Sequence, residues 1–146
     1  LTERLLITPL GTSPGVLYTL VKVLQPDRIF VVSSAKALGS LPEIAQRSGF
    51  DLKGIVSFFF QDPFSGFEEM PGFLEALKKN WPDAVMPEVI VNLAGGTSFL
   101  QYAVGKASDF CEQKKIPVKK VFAVDRREFS QQREEPYVVG EVIPVP

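Results

Sequence analysis

Two short apolar runs in this chain each lead into a loop of small polar residues and then into a helical pattern. The first is Leu5-Leu6-Ile7-Thr8, followed by Pro9-Leu10-Gly11-Thr12-Ser13-Pro14-Gly15 and by Val16, Leu17, Leu20, Val21 and Leu24 at helical spacing. The second spans residues 89–101 and reads VIVNLAGGTSFLQ. A strand, a glycine turn and a helix start in this order make a common anion or nucleotide site. The first N–H groups of a helix have no partner of their own, and glycines such as Gly95 and Gly96 let the backbone come close to a ligand. A tight turn needed only for packing gives the same shape, so each loop alone leaves both readings open.

The rest of the chain repeats the alternation. Residues 28–32 (RIFVV), 54–60 (GIVSFFF), 88–92 and 118–124 read as further strands. Ser13 is a suitable N-cap with Pro14 at the first helical position. A short helix is expected over 41–47 behind Ser40, another over 73–79, and a longer one carrying Phe99, Leu100, Ala103, Val104, Ala107, Phe110 and Cys111 on one face. Ser108, Asp109 and Glu112 fall outside that face. Residues 61–72 are turn-rich and read as a surface loop, with a flap over the site as the alternative. Trp81 is expected to pack as a lid on the core. Residues 128–136 read as an exposed charged run, and 137–143 as an edge strand. The resulting fold class is α/β: a Rossmann-like, doubly wound, mainly parallel sheet of five to six strands flanked by helices.

Length and composition narrow the function. The 146 residues fit one domain, 1–146. The chain starts at Leu1 and ends in Val-Ile-Pro-Val-Pro, as expected of a domain excised from a longer chain or of processed or trimmed termini. Net charge is −1, which argues against a basic surface for duplex nucleic acid. No apolar run approaches the length that spans a bilayer. The single Cys111 forms no internal disulfide and fits a reducing cytoplasm. There is no histidine, which removes Ser–His–Asp and Cys–His catalysis and His-ligated metals. No cofactor and no metal site are expected.

The usual doubly wound order, 3-2-1-4-5, places strands 1 and 4 side by side at the switch point, where the ligand crevice lies. The two loops rich in Gly, Thr and Ser follow those two strands. The ligand reading is therefore preferred for both. The candidate binding residues are Gly11, Thr12, Ser13, Asn92, Gly95, Gly96, Thr97 and Ser98. Two helix N-termini favour phosphate, the hydroxyls are donors, and Asn92 can both donate and accept. Neither loop is G-x-G-x-x-G and neither carries the G-K-[ST] of a P-loop, so ordinary dinucleotide binding and nucleoside triphosphate hydrolysis are disfavoured.

Residues 6–15 (LITPLGTSPG) and 91–98 (VNLAGGTS) resemble the first- and fourth-strand motifs of CARF domains, the CRISPR-associated Rossmann-fold sensors. The fourth-strand motif of that family is usually written N-x-T-G-G-T-K. The resemblance implies a homodimer that binds a cyclic oligoadenylate, the second messenger of type III CRISPR systems, across its two-fold axis. It implies an attached or separate effector, and ligand contacts from Thr12 and Ser13 and from Asn92, Gly95, Gly96, Thr97 and Ser98. Two positions depart from the motif: Ala94 stands for the common Thr, and Ser98 for the common Lys.

Some members of the family also cleave the messenger as ring nucleases. Here the missing lysine weakens that case, and hydroxyls without histidine or metal are poor general bases. A sensor of cyclic tetra- or hexa-adenylate is therefore the first expectation. A slow metal-independent ring nuclease using Ser13 is the second, and a generic nucleotide-binding regulatory domain the third.

Overall fold

The computed structural model describes residues 3–81 and 87–146. Strand β1 (Arg4–Leu10) leads into helix α1 (Pro14–Leu24), and β2 (Arg28–Ser34) into the short α2 (Ala35–Leu38) and α3 (Leu41–Ser48). Strand β3 (Ile55–Phe60) precedes α4 (Met70–Lys79), and β4 (Glu88–Asn92) precedes α5 (Ser98–Gln113). Strand β5 (Val118–Val124), helix α6 (Phe129–Glu134) and β6 (Glu141–Pro144) complete the described chain.

The six strands form one sheet in the order β3-β2-β1-β4-β5-β6. All neighbours are parallel except β6, which runs antiparallel to β5. The expected 3-2-1-4-5 order is present, with one antiparallel strand added at the edge. Helices cover both faces, which is why the inner strands are mostly apolar, with Thr8, Ser33 and Asn92 as buried polar exceptions. Successive side chains of β1 go to opposite sides. Leu6 packs with Leu17, Leu20, Ile29, Val31 and Ile44 beneath α1 and α3. Leu5 and Ile7 pack with Phe30, Phe60, Phe73, Leu77, Val91 and Phe99 beneath α4 and α5. Phe73 is fully buried, and its ring lies 5.9, 5.6 and 5.7 Å from those of Phe30, Phe58 and Phe60. Truncating such a side chain to alanine costs about 3–5 kcal/mol.

Several local expectations need correction. Strand β1 runs on through Pro9 to Leu10, paired with β2, because its pairing with β4 has already stopped at Ile7–Val91 and proline there interrupts no β4 bond. Ser108 is fully buried, not outside the apolar face of α5, and its hydroxyl donates to Glu112 at 3.3 Å. The charged run at 128–136 contains a helix, α6, whose start is held by the Glu128 N–H donating to the Gln131 side chain at 3.3 Å. The edge strand is shorter than expected and shifted to Glu141–Pro144. Trp81 packs on the core as expected, edge-on to Phe110. Residues 82–86 of the connection onward lie outside the described residues.

Candidate functional site

The two loops meet at the C-terminal ends of β1 and β4. A Cβ placed on Gly11 would lie 2.9 Å from Gly96 Cα and 3.0 Å from Gly96 N, so the two backbones are in contact. Gly95 and Gly96 both have positive φ, 87° and 69°, a region that glycine enters without the penalty of a side chain. Gly95 packs against Val16 in the first turn of α1. The first loop is thus braced against the second, and the starts of α1 and α5 are brought to the same end of the sheet.

Asn92 explains how the loops are held at this spacing. The last backbone pair between β1 and β4 is Ile7–Val91, and beyond it the Asn92 side chain replaces the ladder. Its Nδ2 donates to Thr8 Oγ1 at 2.9 Å and to the Ala94 carbonyl at 2.8 Å. Its Oδ1 accepts from the N–H of Ala94 at 3.2 Å and of Ala123 at 3.1 Å. One fully buried amide therefore ties β1, the second loop and β5 together, and all four of its hydrogen-bonding positions are occupied. The sequence reading gave Asn92 a direct ligand contact. In the structure the polar atoms of its side chain are all engaged within the protein.

Thr97 is also engaged. Its hydroxyl caps α5 by accepting from the Leu100 N–H at 3.1 Å and donates to the Pro63 carbonyl. The turn-rich stretch is thereby fastened to the glycine loop. That stretch is itself braced: Asp62 accepts from the N–H groups of Phe64 and Ser65, and Glu69 from those of Gln61 and Asp62. The Ser65 hydroxyl, donating to Asp62 at 2.8 Å, and then the N–H groups of Phe64 and Ser65 hold the Asp62 carboxyl below its ordinary pKa. Ser98 and Thr12 are exposed, and so is Ser13, which occupies the N-cap position of α1 without using its hydroxyl as a cap. Ser13 therefore keeps a free hydroxyl at the helix start.

A cavity of about 240 Å³ opens on the α1 side of the loops. Thr12, Ser13 and Gly15 form one wall, and Val124, Asp125, Phe129, Gln132 and Arg133 another. Gly95, Gly96, Thr97 and Ser98 do not line it. The structure thus brings the two predicted loops into contact but joins only the first of them to the cavity. The opposite wall comes from the β5–α6 segment, where the sequence reading preferred a solvated charge run over a phosphate contact from Arg126 or Arg127. The available signal was weak: an E-x-x-Q spacing at Glu128 and Gln131 that starts a short helix. Asp125 is the carboxylate of this wall. Arg127 binds it through two hydrogen bonds, 3.1 and 2.8 Å, and holds its pKa below the ordinary value. Gln132 closes the segment by donating to the Arg127 carbonyl at 2.8 Å.

Cys111, read from sequence as a small buried residue, is fully buried. Desolvation, with a smaller contribution from Glu112, pushes its thiol up to about 12. No helix among the described residues is long and apolar enough to cross a membrane.

Structural comparison places this arrangement among known folds. Csm6 from Enterococcus italicus, solved bound to cyclic hexa-2′-fluoro-hexa-dAMP, matches 93% of this chain with a TM-score of 0.59 and 13% identity. Can2 from Sulfobacillus thermosulfidooxidans, in complex with cyclic tetra-adenylate, matches 84% with a TM-score of 0.60 and 13% identity. A type III CRISPR defence DNA nuclease activated by cyclic oligoadenylate matches 84% with a TM-score of 0.53 and 13% identity. The chain has their fold. The CARF resemblance read from the two loop motifs is borne out at that level. The chain spans 37%, 32% and 19% of those three solved chains, respectively. No protein-family model matches the sequence, and no curated protein matches it significantly.

Proposed function

We propose that this chain is a sensor domain that binds a cyclic oligoadenylate, cyclic tetra- or hexa-adenylate, across a homodimer interface and regulates a CRISPR defence effector. The observation that carries the reading is the contact between Gly11 and Gly96. It sets two helix starts and their free Thr12, Ser13 and Ser98 hydroxyls at one end of a fold shared with proteins solved with such ligands. Helix starts and hydroxyls suit phosphodiesters.

A ring of four or six nucleotides is far larger than a cavity of about 240 Å³, itself below the roughly 300 Å³ at which small-molecule pockets begin. The ring therefore lies over the exposed loops, with a second copy of the chain supplying the other half. An isologous pair suits a ligand with internal symmetry, because both halves meet the same groups. The effector is an attached or separate domain, and the setting is the cytoplasm.

Ring cleavage is disfavoured as a main activity. The free Ser13 hydroxyl can orient a 2′-hydroxyl, but nothing among the cavity's side chains is a competent general base at neutral pH, since Asp125 is paired with Arg127. Titration of the protein with cyclic tetra- and hexa-adenylate, followed by chromatography of the recovered ligand, tests this. Intact ligand recovered together with saturable binding supports the sensor. Linear products at a useful rate make the chain a ring nuclease, and no binding of either cyclic adenylate leaves a generic nucleotide-binding regulatory domain.

A further inference from the structure

Five of the chain's six arginines face a carboxylate. Arg4 pairs with Glu88, Arg28 with Glu3, Arg47 with Glu43, Arg126 with Glu141 and Arg127 with Asp125. Arg133 pairs with no carboxylate among the described residues. It lines the cavity that Thr12 and Ser13 also line. Its guanidinium carbon stands 5.0 Å from the centre of the Phe129 ring, which is itself 65% exposed at the same cavity. Stacking on an aromatic face orients a guanidinium without using up its hydrogen-bond donors. The carboxylate in the cavity wall, Asp125, is neutralised by Arg127. Glu134 and Glu135 line a separate depression with Arg127 and Gln131. The uncompensated charge of the cavity is therefore positive, and it faces two exposed residues with hydroxyl donors.

We infer that Arg133 is the ligand-binding cation of this domain, pairing with a phosphodiester held at Thr12 and Ser13. The second loop, Asn92 to Ser98, carries no cation of its own. The inference rests on the proposed function for the identity of the ligand. The cavity admits one phosphodiester and its adjoining sugar while the rest of the ring lies outside. A guanidinium fork meets two phosphate oxygens at once, and the hydroxyls of Thr12 and Ser13 complete the cradle. Helix α6 becomes the specificity element of the site, although neither loop motif contains it.

Titration of the chain and of Arg133→Ala with cyclic tetra-adenylate over a range of salt concentrations tests the inference. Arg133 is exposed, so the variant is expected to melt with the wild type, which a thermal scan verifies. Arg133→Ala is expected to bind about tenfold weaker or worse, and its log affinity against log salt to flatten by roughly 1.4, the value of two lost phosphate contacts, one from each chain of the pair. Arg133→Lys recovers the slope but only part of the affinity, because lysine has no fork. Wild-type affinity and slope in Arg133→Ala overturn the inference. If the wild type binds neither cyclic tetra- nor hexa-adenylate, the proposed function falls separately. The cation site is then read with 5′-adenosine monophosphate by NMR: shifts at Ser13 present in the wild type and absent in Arg133→Ala support it, and equal shifts or none in both overturn it.

Discussion

Gly11 and Gly96 touch through their backbones, the first opening the loop after β1 and the second lying in the loop after β4. A methyl group on residue 11 would stand 2.9 Å from Gly96 Cα, closer than real Cβ contacts. Gly11→Ala must therefore push the loops apart. We expect a loss of about 1–3 kcal/mol in urea unfolding, the usual cost of forcing volume into a packed site, and weaker ligand binding. Gly105→Ala is the control. It lies within α5 with open space around it, and the exchange should stabilise by about 0.5–1 kcal/mol. A Gly11→Ala protein as stable as the wild type would show that the loops are not braced on each other.

Asn92 tests the difference between positioning and contact. Asn92→Ala leaves the half-buried N–H groups of Ala94 and Ala123 without their acceptor. Each orphaned group costs about 1–3 kcal/mol, so a loss of roughly 2–6 kcal/mol is expected in chemical denaturation. A residue acting only through direct ligand contact would leave stability within about 0.5 kcal/mol of the wild type, as for an ordinary surface substitution.

These two residues also show what the sequence carries and what it does not. Alternating apolar runs and helical faces announce the parallel sheet, since burial on both faces leaves a mostly apolar imprint on β1, β2 and β4. The glycine loops are equally legible, because positive φ at Gly95 and Gly96 requires glycine. The direction of the Asn92 side chain is not legible. An asparagine at a strand end suits a ligand and a buried bridge alike, and only the end of β1–β4 pairing at Ile7–Val91 decides between them. Helix α6 is hidden for a different reason. It is six residues long, buries none of them, and so has no apolar periodicity to read.

Thr97 joins the glycine loop to the segment before α4 through its bond to the Pro63 carbonyl, and caps α5 as well. Thr97→Ala should lose about 1 kcal/mol, the usual value of a cap, and raise amide hydrogen exchange at Phe64 and Ser65. Thr97→Ser should restore both. Unchanged exchange at Phe64 and Ser65 in the alanine variant would show that the tether does not hold that segment.

Cys111 gives a pH signature. Its buried thiol is pushed up to about 12, whereas the unfolded thiol ionises near 9.0. The unfolded chain therefore loses its proton first as pH rises, and the Cys111 contribution to stability is present below that value and declines as pH climbs toward about 12. At pH 8 the native protein should resist a thiol reagent such as Ellman's reagent, and denaturant should release one reactive thiol per chain. Rapid labelling of the native protein would show that the α5 core opens freely.

Calorimetric titration of the purified chain with cyclic tetra-adenylate and cyclic hexa-adenylate is the most direct measurement of the central claim. The account predicts saturable, salt-sensitive binding of at least one of them, with one ring bound per two chains. Absence of heat and of any complex with both rings, from a protein that is folded by circular dichroism, would contradict it.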